Sequence, residues 1–487
     1  MQGSERESRL DRGAAYVLLF AIAGAPLPLG SRSPVAVALW CVVLALGLLL
    51  ASPRKLHGGQ LALLCGIGLV VLCFGFVLHE QLSSHPWIGR PNPIWAKASE
   101  ALGTDIPPSV SIVRGEPFYA MGPSLSCLLA LTLGLIVGTG KHRADQALQV
   151  MAYSGLACAV FGLVSLGVDF AKMFGRDRIS IPGSVTATFV NRNTAAAYLG
   201  SVSIVWLVLF LSAFRRRLPP GPIVWSKVFR RITSESTGQL QWMLRLGALF
   251  VCLTAMFLTS SRGGVLTSLF SVAVVIALFF RRDLRHGKSV ILLLIGAGAI
   301  ALALLELFGS AVQSRIASGG LVEQGRLEAY RSSLRIIADQ PWFGSGLGTF
   351  TEVFPAYRSG NITSWGTWNL AHSTPFEMAI EVGVPLTVIF AVAWLVALLV
   401  LLRGTGRSRT ETVVPLAALG VASIALMHSS IDFSLQISGY AIVVFALVGV
   451  GLAQSFQGEG KSGLHRQDSK RTNSKAAKQN RELQEIR

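Results

Sequence analysis

Charge is scarce in this chain, and acid is scarcer still. Only 14% of its 487 residues are Asp, Glu, Lys or Arg, with 25 acidic residues against 43 basic ones. A soluble domain carries about 25% charged residues, so long stretches of this sequence are not built to face water. Cysteine is sparse as well. The six cysteines (Cys41, Cys65, Cys73, Cys127, Cys158 and Cys252) all fall inside apolar runs. That placement excludes a disulfide framework and offers no zinc-ligand spacing. The sequence also lacks an Asp-x-Asp pair or a His/carboxylate cluster of the kind that holds Mg²⁺ or Mn²⁺, so no metal and no cofactor is expected. The net charge of +18 does not point to nucleic acid. Its Lys and Arg residues sit in short clusters between apolar runs instead of along one stripe.

Apolar length is what the chain has in excess. Hydrophobic residues make up 52% of it, and its mean hydropathy is +0.55. A helix needs about 20 apolar residues to cross the hydrocarbon core. Runs of that order occur near 14–31, 34–51, 61–79, 122–139, 148–168, 194–213, 243–260, 263–280, 289–308, 375–402, 413–429 and 435–454. The fold class is therefore predicted as all-α, a polytopic membrane bundle of about 12 transmembrane helices over residues 1–454. The first apolar run is followed by many others, so it reads as a span and not as a cleavable leader. Residues 455–487 are polar, basic and without apolar periodicity, and are predicted to form a disordered cytoplasmic tail.

Charge placement supplies an independent check. With the N-terminus inside and the spans alternating, the cytoplasmic segments hold 29 of the 43 Lys and Arg residues, as the positive-inside rule requires. Clusters such as Arg215-Arg216-Arg217 and Arg281-Arg282 stop spans where they should end. The chain is thus predicted to cross a membrane many times, with both termini cytoplasmic. Two long segments then fall outside, 80–121 and 309–374, and loops of such length are usually functional.

The second loop and its neighbours hold the candidate chemistry. From Gly325 to Ile337, Leu327, Tyr330, Leu334 and Ile337 recur at helical spacing, with Arg326, Arg331 and Arg335 on other faces. Pro341 stops this helix, and Trp342-Phe343-Gly344-Ser345-Gly346-Leu347-Gly348 follows as a glycine-punctuated turn. The bland reading is an interfacial helix whose arginines meet lipid headgroups. Thr374 and Glu377 form a predicted capping box with Pro375 at the first helical position. His372 then lies just outside a positive helix end, a place that favours neutral, proton-accepting imidazole. Arg262, in Thr259-Ser260-Ser261-Arg262-Gly263, occupies a short outer turn where a charge is costly unless it faces a polar cavity. Asn191-Arg192-Asn193 presents amides and a further cation to the same side. His428 and Asp432, four apart in the outer turn between the last two spans, read as structural or supporting polar groups.

Taken together these motifs resemble the O-antigen ligase and polymerase superfamily of bacterial envelope enzymes. The most specific part runs from Gly325-Arg326 through Trp342–Phe350 to His372 and Glu381-Val382-Gly383, joined by Thr188–Asn193 and Thr259–Gly263. Ser373 departs from the family's usual His-Asn, and Tyr330 replaces a common Trp. The resemblance implies a GT-C-like bundle with a catalytic periplasmic loop, 309–374, that carries short helices between spans nine and ten. It also implies transfer of a glycan from an undecaprenyl-diphosphate carrier to an acceptor hydroxyl, without metal and with inversion. On that basis His372 is the candidate base, while Arg326 and Arg262 stabilise the departing diphosphate. Arg192, Asn193, Arg331, Arg335 and Glu381 are candidate substrate-binding residues. The implied partners are the lipid-linked donor, a glycan or lipid acceptor, membrane lipids and a chain-length regulator. The outer loop 80–121 and Ser373 favour a polymerase of O-antigen or exopolysaccharide units. The alternatives are a ligase that hands finished glycan to lipid A core or protein, and a small-anion or polysaccharide transporter. A transporter should carry ionisable groups or broken helices at mid-membrane.

Overall fold

The computed structural model describes residues 9–53, 56–167, 184–217, 239–281, 324–360, 362, 368–406 and 413–456. Over these residues the chain is helical, with no strand among them. The helices are α1 (Arg9–Gly24), α2 (Pro34–Leu50), α3 (Gly58–Leu82), α4 (Ile94–Leu102), α5 (Glu116–Ala120), α6 (Gly122–Val137), α7 (Lys141–Gly167), α8 (Arg192–Arg217), α9 (Gln239–Phe257), α10 (Arg262–Phe280), α11 (Gln324–Asp339), α12 (Phe350–Tyr357), α13 (Thr374–Gly404), α14 (Val413–Ser429) and α15 (Ser438–Gln454). Eleven of the twelve predicted spans coincide with a helix. The ninth, 289–308, lies outside the described residues, as do 309–323 of the second loop and 457–487 of the tail.

Seven segments are long and apolar enough to cross a membrane: α3, α5 with α6, α7, α8, α9, α10 and α13. The chain is therefore a multi-pass helical membrane protein. Helices α1, α2, α14 and α15 run for 16 or 17 residues. The last two form the centre of the bundle, and every residue of α15 except Phe445 is buried.

Small residues set the packing. In lipid the hydrophobic effect does not drive helices together, so close backbone approach has to do so. Gly134 of α6 and Gly138, just past its end, lie against Ala446 and Val450 of α15, and a Cβ on Gly134 would fall 2.3 Å from the Ala446 carbonyl oxygen. Helices α8 and α10 meet through a similar seam, in which Gly264 faces Ala196 and Gly200 faces Ser268. This second seam runs in register from the N-termini of both helices. It fixes Arg192 and Arg262 at one end of the bundle, called here the site end.

The predicted outer loops fold onto that end. Helix α13 is broken at Gly383, whose backbone (φ 83°, ψ 162°) is a conformation open essentially to glycine alone. The glycine turn plugs the break. Ser345 N–H donates to Ile380 O (2.7 Å), Gly346 N–H to Glu381 O (3.1 Å) and Val384 N–H to Pro341 O (2.8 Å). Gln81, at the end of α3, donates through Nε2 to both Phe343 O and Glu381 O at 2.7 Å, while its Oε1 accepts from Leu347 N–H. The first loop joins in, with Ile112 N–H donating to Ser345 O at 2.9 Å. Residues 384–404 below the break are 21 in number. At 1.5 Å per residue they are about 31 Å long, enough to span the hydrocarbon core alone.

One local expectation differs from what is found. Thr374 and Glu377 do not form a capping box, because Thr374 is itself the first helical residue and no side chain caps α13. Glu377 reaches further back, and its Oε2 accepts from Ala371 N–H at 2.6 Å. Helix α11 turns a small-residue face to the protein. It packs on α12 and α13 through Ala329, Ser332, Ser333 and Ile336, and leaves Leu327 and Leu334 outward. Small residues let the helices approach closely where leucines would hold them apart.

Candidate active site at one end of the bundle

The turn between α14 and α15 organises the site. Its Asp432 is 2% exposed yet gathers groups from three distant parts of the chain. Asn193 Nδ2, at the start of α8, donates to Asp432 Oδ2 at 2.5 Å. Arg326 Nη2, from α11, lies 3.4 Å from the same oxygen, and Arg326 Nη1 donates to Ile431 O at 3.0 Å. Oδ1 accepts from Phe433 N–H at 2.8 Å and stands 3.9 Å from His372 Nδ1. A buried carboxylate requires this density of partners, since an uncompensated one is expensive.

His372 is held on every side. Its backbone takes φ +53°, a left-handed conformation uncommon for a residue with a Cβ. Tyr330 Oη fixes it by donating to His372 O at 2.9 Å. Burial holds the Tyr330 phenol proton on, with Asp432 acting in the same direction and Arg326 opposing it. The imidazole packs edge-on between Trp368 (5.6 Å) and Phe433 (5.1 Å). Thr374 Oγ1 reaches Asp432 O at 3.5 Å, which ties the start of α13 to the same turn. Positive φ recurs at Ser260, Ala187, Leu29 and Ser31, all at the site end. Such strain persists only where surrounding structure enforces it, and it concentrates at functional sites.

Arg262 opens α10, which Ser261 caps by accepting from Gly264 N–H at 3.3 Å. Helix α10 starts against the same turn, for a Cβ on its Gly263 would fall 2.8 Å from the Ile431 side chain. The N-termini of α8, α10, α13 and α15 therefore converge here. Each presents the positive end of a helix dipole, an arrangement suited to an anion. Beside them lies a cavity of about 310 Å³ between the α1–α2 turn and the start of α8, lined by Arg32, Arg192, Asn193 and Phe433 among others. Among the described residues no three His, Cys, Asp or Glu side chains converge to hold a metal ion.

The structure thus brings Arg326, His372 and Asn193 together, with Arg262 and Arg192 close by. Three other predicted site residues stand apart. Arg331 is exposed and pairs with Glu328 at 2.5 Å, and Arg335 is exposed one turn further on. Glu381 is buried, and its Oε1 accepts from Phe350 N–H at 3.2 Å at the first turn of α12. Sequence reasoning placed Asp432 in a supporting role beside His428, but the two side chains diverge. His428 turns inward to Ser434 (2.6 Å). The available signal was an acidic residue in a basic, acid-poor chain, at a turn bounded by two apolar helices.

Residues 247–391 match the family described as O-antigen ligase. The chain carries an O-antigen ligase family domain. That domain contains Arg262, Arg326, His372 and Glu381, whereas Asn193 and Asp432 lie outside it and are joined to it by the fold. Among curated proteins none matches the chain. At this coarse level the molecule is a multi-pass helical membrane protein whose residues 247–391 are similar to O-antigen ligases.

Proposed function

We propose that this O-antigen ligase family member polymerises glycan repeat units at the non-cytoplasmic face, taking each from an undecaprenyl-diphosphate carrier. The observation that carries the reading is the Asp432 hub, which holds Arg326 and His372 in one place. An acceptor sugar hydroxyl attacks the anomeric carbon of the donor glycan as the bond from that carbon to the diphosphate oxygen breaks. The hydroxyl proton passes to the His372 ring nitrogen remote from Asp432. The carrier leaves as its diphosphate, and one displacement inverts the anomeric centre. Asp432, 3.9 Å from Nδ1, stabilises the imidazolium that forms. Arg326, held by two contacts, meets the diphosphate charge without first having to reorganise, together with Arg262 and the helix N-termini. Asn193 and Arg192 bind on the α8 side, and Glu381 positions α12 and the glycine turn. Guanidinium groups supply the cationic role without a metal, and a chain-length regulator is the expected protein partner.

The family description favours a second reading, ligation of finished glycan to lipid A core or protein. One experiment separates the two. In a deletion strain, loss of long chains with single-unit capping indicates polymerisation, while accumulation of long carrier-linked chains indicates ligation. Complementation with His372→Ala or Arg326→Ala is expected to leave either defect unrepaired although the protein inserts normally. Restoration to near wild-type glycan by either variant would remove that residue from the mechanism. The transporter reading is disfavoured by α13, since its break is plugged by the glycine turn and leaves a full-length span below it.

A further inference from the structure

We infer that Glu377 is a positioning residue for the transfer reaction, holding His372 in place through the backbone of Ala371. This rests on the glycan-transfer reading and adds a residue to it. Glu377 lies in the first turn of α13, but its side chain does not cap that turn. It folds back over the helix start, and Oε2 accepts from Ala371 N–H, six residues upstream, at 2.6 Å. Ser373, which precedes the helix, makes no side-chain capping bond. Glu377 therefore supplies a bond that joins α13 to the residues before it. Ala371 is fully buried in the cluster that holds Ala329, Ile336, Phe354 and Ile380. Without the Glu377 acceptor its N–H would be orphaned, a state that buried backbone groups avoid.

The bond matters because of what it adjoins. The peptide that leaves Ala371 enters His372 at φ +53°, a conformation that persists only where the surroundings impose it. Glu377 anchors the N–H of the residue before, and Tyr330 Oη anchors the His372 carbonyl at 2.9 Å. These anchors come from different helices, α13 and α11, and flank the one strained residue. Glu377 is also tied to the turn that carries Asp432, since the Gln436 side chain bonds the same carboxyl group. An acid that is 6% exposed needs such partners. His372 is thus set relative to Asp432 by two routes. One is the 3.9 Å approach of the side chains themselves, and the other is the Glu377 bridge. Glu381, one turn further along α13, does a different job, because it bonds Phe350 N–H of α12.

The test uses purified full-length protein, a synthetic polyprenyl-diphosphate glycan with acceptor, and two variants of nearly native size. Glu377→Gln keeps an acceptor oxygen for Ala371 N–H and is expected to retain kcat close to wild type. Glu377→Met removes the acceptor and is expected to lower kcat by about 10- to 100-fold, with donor KM little changed. Carbethoxylation of His372 by diethyl pyrocarbonate, followed by peptide mass spectrometry, is expected to speed up severalfold in Glu377→Met alone. Folded Glu377→Gln as inactive as Glu377→Met, or Glu377→Met with wild-type kcat, overturns the inference. A loss of kcat in Glu377→Met with His372 reactivity unchanged does so too. Should Glu377→Met not fold, Glu377→Gln decides: native kcat and native His372 reactivity support the inference, and loss of either overturns it. Failure of the transfer reading looks different. No form of the protein then turns donor over, yet the contrast in His372 reactivity between the two variants persists.

Discussion

Asp432 is where the residue-scale account is most exposed to test. Asp432→Asn keeps the size and part of the hydrogen bonding but removes the charge that faces Arg326 and His372. The expected result is a fall in kcat of about 10²–10⁴-fold with KM little changed. Combining it with His372→Ala should cost no more than His372→Ala alone, because groups that act as a unit are not additive. Independent, multiplicative losses in the double variant would show that the carboxylate acts elsewhere. His372 and Arg326 were legible in the sequence from their motifs. Their common partner was not, because a spacing of four pairs Asp432 with His428 on paper. His428 bonds Ser434, and only the long-range contacts of Asp432 with Asn193, Arg326 and His372 reveal its place in the site.

At the scale of elements, hydropathy located the helices well because span length is set by the membrane and not by tertiary detail. It read straight through the break in α13, since Val382-Gly383-Val384 is as apolar as its neighbours. A Cβ on Gly383 would fall 2.2 Å from the Trp342 carbonyl oxygen. Gly383→Ala is therefore expected to destabilise the protein by about 1–3 kcal/mol and to reduce turnover, read as a lower thermal midpoint in detergent and slower transfer. The α6–α15 seam makes a cleaner comparison. Gly134→Leu places side-chain atoms where α15 backbone already stands, and about 1–3 kcal/mol or more should be lost to overpacking. Gly75→Leu on α3, where a Cβ meets nothing within 4 Å, should leave the midpoint unchanged. Equal effects at the two positions would contradict the seam. On α11, Leu327 and Leu334 face outward, in keeping with an amphipathic helix at the membrane boundary, whereas serine and alanine permit the tighter contact with the protein.

For the whole molecule, orientation is predicted by the placement of charge. Among the described residues, those that flank the segments predicted as cytoplasmic lie at the end opposite the site. There Ser52 N–H donates to Asp11 Oδ1 (3.1 Å) and Gln454 Nε2 donates to Gly138 O (2.5 Å). A cysteine introduced at the exposed Arg335 is expected to react with a membrane-impermeant maleimide in intact cells. One at Arg403 should react only after permeabilisation. The reverse pattern would put the site on the wrong face for an externally displayed glycan. The most direct measurement is release of carrier diphosphate by the purified protein from a synthetic polyprenyl-diphosphate glycan. Release that requires an acceptor hydroxyl, and disappears in both His372→Ala and Arg326→Ala, is the predicted result. Acceptor-independent release, or release undiminished in those variants, would contradict it.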